Sequence, residues 1–535
     1  MLDWTSWLAG LTSTAVIIRF FGQSNDWKWV TIGALWLSTS FIFYCLQAMY
    51  RWNFVMLKDL SGPPSPSFFL GHMEGIHLDE YPKAISHVMN NDDLFPRSEA
   101  TRQVLQTAFP NGVFVSEGMY QQNLDITVVS KCLMNTGEEH RRQRRPVSGA
   151  FIPPSVQELS DTLFDLINGM VESLKDEIIN FGNEGEFMID VLKRIQILTT
   201  DAISRTAFAY SIQDSTGPIP ELLDRLGKLD ESLFTVILQL IMNKIPWLVN
   251  IPNPVTKKWA RLRFELGKVA DDVWEKGVVN KGLHSKLLDA IGRGERDIAI
   301  SQIMGVLFAG SETTANIITE AIHKLTLYPE VQKKLRKELQ DFIEAKGRPI
   351  EHEELINPNL LPYLDAVMKE ALRCLASVPQ LSRQAGVHTT VPLEFPITLP
   401  NGRTVSEIQV EPGQTILMPV RDGINTCPDI WGPDAKKFVP ERWLDEKLPP
   451  LVEKIKVPGH VFTFGDGPKL CLGRAFAYSE FKIFVSTLVL NFEFSTPSAE
   501  DMKTIVFHLS GPTVKPRLKG REREAATLPL AVKLL

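Results

Sequence analysis

Apolar positions crowd the first fifty residues and thereafter recur with a helical spacing. From Trp29 to Tyr50 the chain reads WVTIGALWLSTSFIFYCLQAMY, 22 residues without a charge. At about 1.5 Å per residue this run is long enough for the roughly 30 Å hydrocarbon layer of a bilayer. Trp27, Trp29, Tyr50 and Trp52 flank it as interfacial aromatics, with Lys28 and Arg51 placed to snorkel at its ends. An earlier apolar run, Trp4 to Ile18, is bounded by Asp3 and Arg19. It suits an interfacial helix, half of a hairpin or the core of a signal peptide, although the acidic start speaks against a cleaved signal. Residues 1–58 are therefore expected to be a membrane anchor. Residues 59–74, with Ser61-Gly-Pro-Pro-Ser-Pro66, form a stiff hinge, because proline fixes φ and removes amide donors.

Beyond residue 75 the pattern predicts one large domain to residue 535, mainly α with a small β component. The longest helical stretches are Val156–Asn180, Phe187–Tyr210, Pro218–Met242, Thr256–Asn280 and Ile298–Leu327. Strand-like pieces come late: Thr389–Phe395 with Thr398–Thr404, then Gln414–Pro419 and Thr504–Leu509. The stretch Ile298–Leu327 is apolar nearly all round in its first half, as a central buried helix would be. Its middle carries Gly310, Ser311, Glu312, Thr313 and Thr314. Glycine weakens a helix locally, and a buried carboxylate needs a partner or a proton to move. A hydrogen-bonded kink and a chemical role both fit this segment.

Composition narrows the classes. Apolar residues make up 44% and charged residues 22% of 535, so the chain is neither disordered nor low-complexity. A net charge of −6 gives no electrostatic footprint for nucleic acid. Five cysteines are too few, and odd in number, for a disulfide framework. No G-x-G-x-x-G opens a helix after a strand, so no flavin or nicotinamide segment is present in the sequence pattern.

One cysteine stands apart. In Phe464-Gly-Asp-Gly-Pro-Lys-Leu-Cys471-Leu-Gly473-Arg474 the glycines and Pro468 force a tight turn just before a long apolar helix. A thiol there meets backbone N–H groups and the positive end of the helix dipole, which favour a thiolate and would tune an iron bound to it. Zinc is disfavoured because the nearest histidine, His460, lies eleven residues upstream. A nucleophilic thiol lacks the motif of a known cysteine hydrolase.

With these residues in view, the sequence from about 60 to 520 resembles the cytochrome P450 family of haem-thiolate monooxygenases. The resemblance implies haem b with Cys471 as the axial thiolate ligand and Phe464 packed beside it. Lys469 stands where an arginine most often faces a haem propionate; lysine keeps the charge and loses the fork. Glu370-Ala-Leu-Arg373 resembles the E-x-x-R pair, which with Arg442 of Pro440-Glu-Arg-Trp443 builds a structural ion network. E-x-x-R also occurs at Glu99/Arg102, Glu138/Arg141 and Glu139/Arg142, so order and distance carry that match. Gly137-Glu-Glu-His140-Arg-Arg-Gln-Arg144-Arg145 resembles the W-x-x-x-R helix with histidine for tryptophan. It implies His140 and Arg144 as propionate ligands, Arg383 as a third, and Arg141, Arg142 or Arg145 facing a reductase.

Ala309-Gly-Ser-Glu312-Thr313-Thr314 matches the family's oxygen-activation segment. The resemblance implies a helix opened by glycine, with Thr313 as the hydroxyl beside dioxygen and Glu312 as its proton source. The partners it implies are the membrane-bound NADPH-cytochrome P450 reductase and a lipophilic small molecule, with no nucleic acid. It places the protein on the cytosolic face of the endoplasmic reticulum. Pocket positions by resemblance are Val113–Gly118, Phe234–Met242, Leu307–Phe308, Val378–Leu381 and Val506–Leu509. The Ile245–Pro252 loop is either a bilayer-dipping entrance or core. The GEEHRRQRR stretch and the spacing of the late motifs resemble fungal members, which points to terpenoid or polyketide tailoring. A haem-thiolate isomerase, dehydratase or NO reductase is the alternative chemistry, and a membrane-tethered binding protein the non-enzymatic one.

Overall fold

The computed structural model describes residues 76–77, 81–97, 144, 148–182, 186–211, 238, 251–276, 296–398, 402–444, 448–500, 504–510, 512–522 and 524–535. The expected anchor, the Pro-rich hinge, His140 and the helix expected at Pro218–Met242, Leu238 excepted, lie outside the described residues. No helix among the described residues is long and apolar enough to cross a membrane. The chain divides into two compact units, residues 73–395 with 406–535 and residues 1–72 with 396–405. Among the described residues, every helix belongs to the larger unit, 73–395 with 406–535.

The longer helices of that unit are α1 (Pro82–Asn90), α2 (Ser160–Phe181), α3 (Val191–Phe208), α4 (Pro254–Lys276), α5 (Arg296–Leu327), α6 (Pro329–Lys346), α7 (Pro362–Cys374) and α8 (Arg474–Asn491). Their boundaries follow local chemistry. Asp190 caps α3 by accepting from the Lys193 amide at 3.3 Å, and α3 ends where Ala209 turns left-handed at φ 51°. Asn253 and Thr256 exchange hydrogen bonds at 3.0 Å in front of α4. Proline opens α6 and α7, and Gly347 at φ 67° closes α6. In α2 the buried Leu163, Ile167, Val171 and Leu174 repeat at helical spacing and form its inward stripe.

The helix α5 is the axis of the unit. Ile303, Met304, Leu307, Ala315, Ile318, Ala321, Ile322 and Leu325 are all buried, while Ala309 is exposed and Phe308, Gly310 and Thr313 are half-buried. It packs against α3, α4 and α8. Gly310 sets how close α3 comes: a Cβ there would lie 2.7 Å from Ile203 Cγ1. The expectation that glycine interrupts this helix is therefore corrected. α5 is continuous from Arg296 to Leu327, and the space a side chain would take at Gly310 is filled by Ile203.

The β part is small. In one sheet β6 (Thr415–Pro419) lies between β1 (Ile76–His77), parallel, and β3 (Gln380–Gln384), antiparallel, with Arg383 opposite Ile416. In a second sheet β10 (Pro529–Leu534) lies between β2 (Met188–Asp190) and β7 (Phe492–Ser495). β4 (Thr389–Thr398) pairs with β5 (Thr404–Val410), and β8 (Ile505–Ser510) with β9 (Thr513–Leu518). Several details differ from the periodicity reading. Met188–Asp190 is strand where a helix was expected, the partner of β4 begins at Thr404, where the expected strand ended, and β1, β3, β7, β9 and β10 were not anticipated. β9 reads Thr-Val-Lys-Pro-Arg-Leu and buries all six residues, so it shows no alternation of polar and apolar positions.

The fold is fastened by the expected ion network. Glu370 and Arg373 are fully buried and paired at 2.7 Å. Arg442 Nε donates to Glu370 Oε1 at 3.1 Å and Trp443 Nε1 to Oε2 at 2.9 Å. Arg373 spends its remaining donors on the carbonyls of Asn425, Ala435 and Lys437. A buried pair with its lone pairs and protons engaged in this way locks a unique arrangement of α7 and the segment after it.

Candidate active site

The Cys471 loop is built by its glycines. Gly465 and Gly467 adopt φ of 76° and 67°, a region that costs an L side chain energy, and a Cβ at Gly467 would stand 2.8 Å from the Met89 carbonyl. Asp466 tethers the loop to α1: Ser86 Oγ donates to its carboxylate at 2.6 Å and Asn90 Nδ2 at 3.0 Å. The Cys471 amide donates back to the Phe464 carbonyl at 2.9 Å, closing the turn. The Phe464 ring stands edge-on to Tyr478, 5.5 Å between centroids. Gly473 caps α8 directly after the thiol. Burial pushes the Cys471 thiol up; the Gly473 amide and the Arg144 and Arg474 guanidinium groups pull the other way.

Arg144 comes to this loop, where its Nη2 donates to the Leu470 carbonyl. Lys469 and Arg383 meet elsewhere in the site, together with two residues the sequence reading missed, Arg97 and Asp92. The chain after α1 lies along β3, with the Gln384 amide donating to Pro96 O and the Gly386 amide to Leu94 O, both at 2.8 Å. That brings Arg97 beside Arg383. Lys469 pairs with Asp92 at 3.4 Å, and both side chains are buried. Desolvation, and next the neighbouring Arg97, hold the Lys469 ammonium down to about 8. Desolvation and then Arg383 hold the Arg97 guanidinium down to about 9. Arg383 is itself lowered by burial, and its Nε has no hydrogen-bond partner. Three desolvated cations thus lie together, with the Asp92 carboxylate facing Lys469 and Arg383. No local signal marks Arg97 or Asp92 in the sequence, because only strand pairing brings them here.

This concentration of positive charge tests the fit of haem. Its two propionates would balance the net charge of the cluster and give Arg383 Nε an acceptor, while Cys471 would offer its sulfur to the iron. The residues fit. Arg97, Arg383 and Lys469 would hold the carboxylates, and Cys471 the iron.

On α5, Thr313 Oγ1 donates to the Ala309 carbonyl at 2.8 Å. Two further carbonyls of this turn are taken from outside the helix: that of Ser311 by Thr199 Oγ1 at 3.0 Å and that of Thr313 by Ser377 Oγ at 2.7 Å. Glu312 does not turn to Thr313. Its Oε1 accepts from Thr513 Oγ1 and pairs with Lys515 Nζ at 3.3 Å, both on β9. Sequence reading missed these partners, which lie about two hundred residues away. Of the expected pocket positions, Phe308, Val378, Leu381 and Val506 are half-buried. Val113–Gly118 and, apart from Leu238, Phe234–Met242 lie outside the described residues.

A cysteine loop before a helix, a buried cationic cluster and a central helix carrying an acid and an alcohol side by side suit a haem-thiolate site on a mainly α fold. Comparison with known proteins agrees. Residues 97–519 match the family model "Cytochrome P450". The chain is 31% identical over 441 residues to cytochrome P450 monooxygenase claQ of Ampulloclitocybe clavipes, covering 78% of this chain and 80% of that protein. It is 28% identical to cytochrome P450 monooxygenase 205 of Postia placenta, covering 89% and 93%. The crystal structure of a cytochrome P450 (CYP102L1) superposes with a TM-score of 0.58 at 20% identity, covering 85% and 92%, which concerns the fold alone. The chain belongs to the cytochrome P450 family. It is a haem-dependent oxidoreductase of the monooxygenase class, carrying haem b on a cysteine thiolate.

Proposed function

We propose that this enzyme inserts one oxygen atom from O2 into a C–H bond of a lipophilic terpenoid or polyketide in fungal secondary metabolism. Support comes from the acid-alcohol pair Glu312-Thr313 retained on α5, from the half-buried apolar positions Phe308, Val378, Leu381 and Val506, and from the relatives in Ampulloclitocybe clavipes and Postia placenta. The observation that carries the reading is the cluster of Arg97, Arg383 and Lys469 together with the Cys471 loop, since this combination suits a dianionic macrocycle whose metal takes a thiolate.

Haem, when bound, supplies the binding and cleavage of dioxygen. The chain does the rest. Cys471 holds the iron, with the Gly473 amide moderating the charge on its sulfur. Arg97, Arg383 and Lys469 orient the macrocycle through its carboxylates. Thr313 would hold a proton at its Oγ1 on the haem side of α5, and Glu312 would renew that proton from solvent. Electrons come from NADPH-cytochrome P450 reductase, docking on the basic face near Cys471. The charge-free run Trp29–Tyr50 anchors the enzyme to the endoplasmic reticulum membrane beside that partner, with the catalytic domain in the cytosol.

The test is reconstitution of the full-length protein with that reductase and NADPH in microsomes, offered a panel of terpenoids, polyketides and fatty acids. The expected result is NADPH-dependent formation of a product heavier by one oxygen, labelled from 18O2, with a terpenoid or polyketide. Label from water, or rearrangement without oxygen gain, would overturn the reading in favour of isomerase or dehydratase chemistry.

A further inference from the structure

Consecutive residues of a helix point about 100° apart, so an acid and an alcohol side by side in sequence do not meet unless one of them swings. In α5 they are held apart. Thr313 bonds back to Ala309, while Glu312 reaches to β9, where Thr513 and Lys515 receive it. Lys515 is fully buried and Glu312 is 4% exposed. Two opposite charges survive at such depth because each compensates the other. Other charged groups on neighbouring elements are engaged elsewhere: Arg421 with Glu320 at 2.7 Å, Asp201 of α3 with Arg205, and Arg517 of β9 with the Glu524 carbonyl. Glu480 of α8 lies toward Thr314.

We infer that Lys515 is a positioning residue for proton delivery: it holds Glu312 turned toward β9, away from Thr313, and a proton reaches Thr313 only when that pair opens. The inference rests on the monooxygenase reading of the site and deepens it. The proton comes from solvent, is carried on the Glu312 carboxyl when it swings, passes through the Thr313 hydroxyl to the oxygen that accepts it, and leaves Glu312 a carboxylate that returns to Lys515.

The position of β9 gives this pair a route to the substrate. β9 is hairpin partner to β8, with His508 opposite Lys515 and Phe507 opposite Pro516. The expected substrate-facing positions, Val506–Leu509, are on β8. A second tie joins the same hairpin to the same turn of α5: the Val514 amide donates to the Ser377 carbonyl at 3.0 Å, and Ser377 Oγ donates to the Thr313 carbonyl. A substrate that displaces β8 therefore shifts Lys515 against Glu312.

Infrared spectroscopy and coupling measurements on the full-length holoenzyme decide this. Lys515→Met strips Glu312 of its buried counter-charge, and the carboxyl then takes up a proton. The variant is expected to gain the carbonyl absorption of a protonated carboxylic acid, absent from wild type and from the Lys515→Met/Glu312→Gln double variant. Peroxide released per NADPH is expected to rise on the order of tenfold, below the 10²–10⁴ that a general acid itself contributes. Lys515→Arg restores both readouts. Should Lys515→Met not fold, Lys515→Gln removes the charge while keeping a donor, and the same absorption is expected of it. Wild-type infrared and coupling in the neutral variants, or a Lys515→Arg variant as defective as they are, would overturn the inference. The infrared arm requires no turnover, so a parent enzyme without monooxygenase activity would sink the proposed function and still leave Lys515 to be judged.

Discussion

Arg442 Nε donates to Glu370 Oε1 at 3.1 Å, across 72 positions of sequence, while Trp443 takes the other carboxylate oxygen. One buried carboxylate thus serves Arg373, Arg442, Trp443 and the Val439 amide. Glu370→Ala leaves the fully buried Arg373 without its counter-charge, a loss of about 3–5 kcal/mol. The expected outcome is a protein that fails to retain haem or unfolds well below the wild-type temperature, read by circular dichroism and haem content.

Cys471 is the proposed iron ligand, and its replacement separates ligation from packing. Wild-type protein, reduced with dithionite under carbon monoxide, is expected to show the strongly red-shifted Soret band of a thiolate opposite CO. Cys471→Ser removes that band while secondary structure persists, since the loop is held by Gly465, Gly467 and Asp466 and not by the thiol. A band unchanged in Cys471→Ser would move the ligand elsewhere.

The cationic cluster makes a prediction of opposite sign for the two forms of the protein. Arg97→Gln removes a guanidinium that lies against Arg383 and Lys469. The haem-free protein is expected to gain thermal stability from the relieved repulsion. The haem-bound protein is expected to lose haem faster to an acceptor globin, because a propionate loses a charged donor.

Thr313 and Glu312 differ in what their loss does. Thr313→Ala removes the hydroxyl at the oxygen, so NADPH consumption continues while product falls and peroxide rises, by about tenfold or more. Ser377→Ala frees the Thr313 carbonyl without touching its hydroxyl. Its effect on coupling is expected to be smaller, and its effect on melting temperature larger than that of Thr313→Ala.

Glu480 supplies the pH dependence. It is fully buried in α8, neither carboxyl oxygen has a hydrogen-bond donor within bonding geometry, and burial pushes its pKa well above the ordinary 4.5, with Thr314 opposing weakly. A carboxyl raised in the folded state adds stability fully below its unfolded value, and that contribution is lost as pH climbs toward the native value. Glu480→Gln cannot ionise. Its melting temperature relative to wild type is expected to rise as pH climbs above about 5, and a constant difference would show that Glu480 is already ionised in the fold.

Local chemistry was enough to mark the main parts of this enzyme. The helical periods of α2 to α5, the glycine turn before Cys471, and the order of E-x-x-R, P-E-R-W and the cysteine segment are all written in neighbouring residues, so their reading needs no fold. The same holds for Glu312-Thr313 as an oddity in an apolar helix. Tertiary structure alone decided what those residues touch. Arg97 and Asp92 enter the site because backbone pairing lays the chain after α1 along β3. Gly310 proved to be a point of helix contact with Ile203, because close packing of two helices depends on a partner that the local sequence does not contain. Lys515 and Thr513 sit in a strand whose composition looks exposed and whose six residues are buried. A charge can lie that deep only when another element brings its counter-charge, and Glu312, two hundred residues earlier in the chain, is the one the fold delivers.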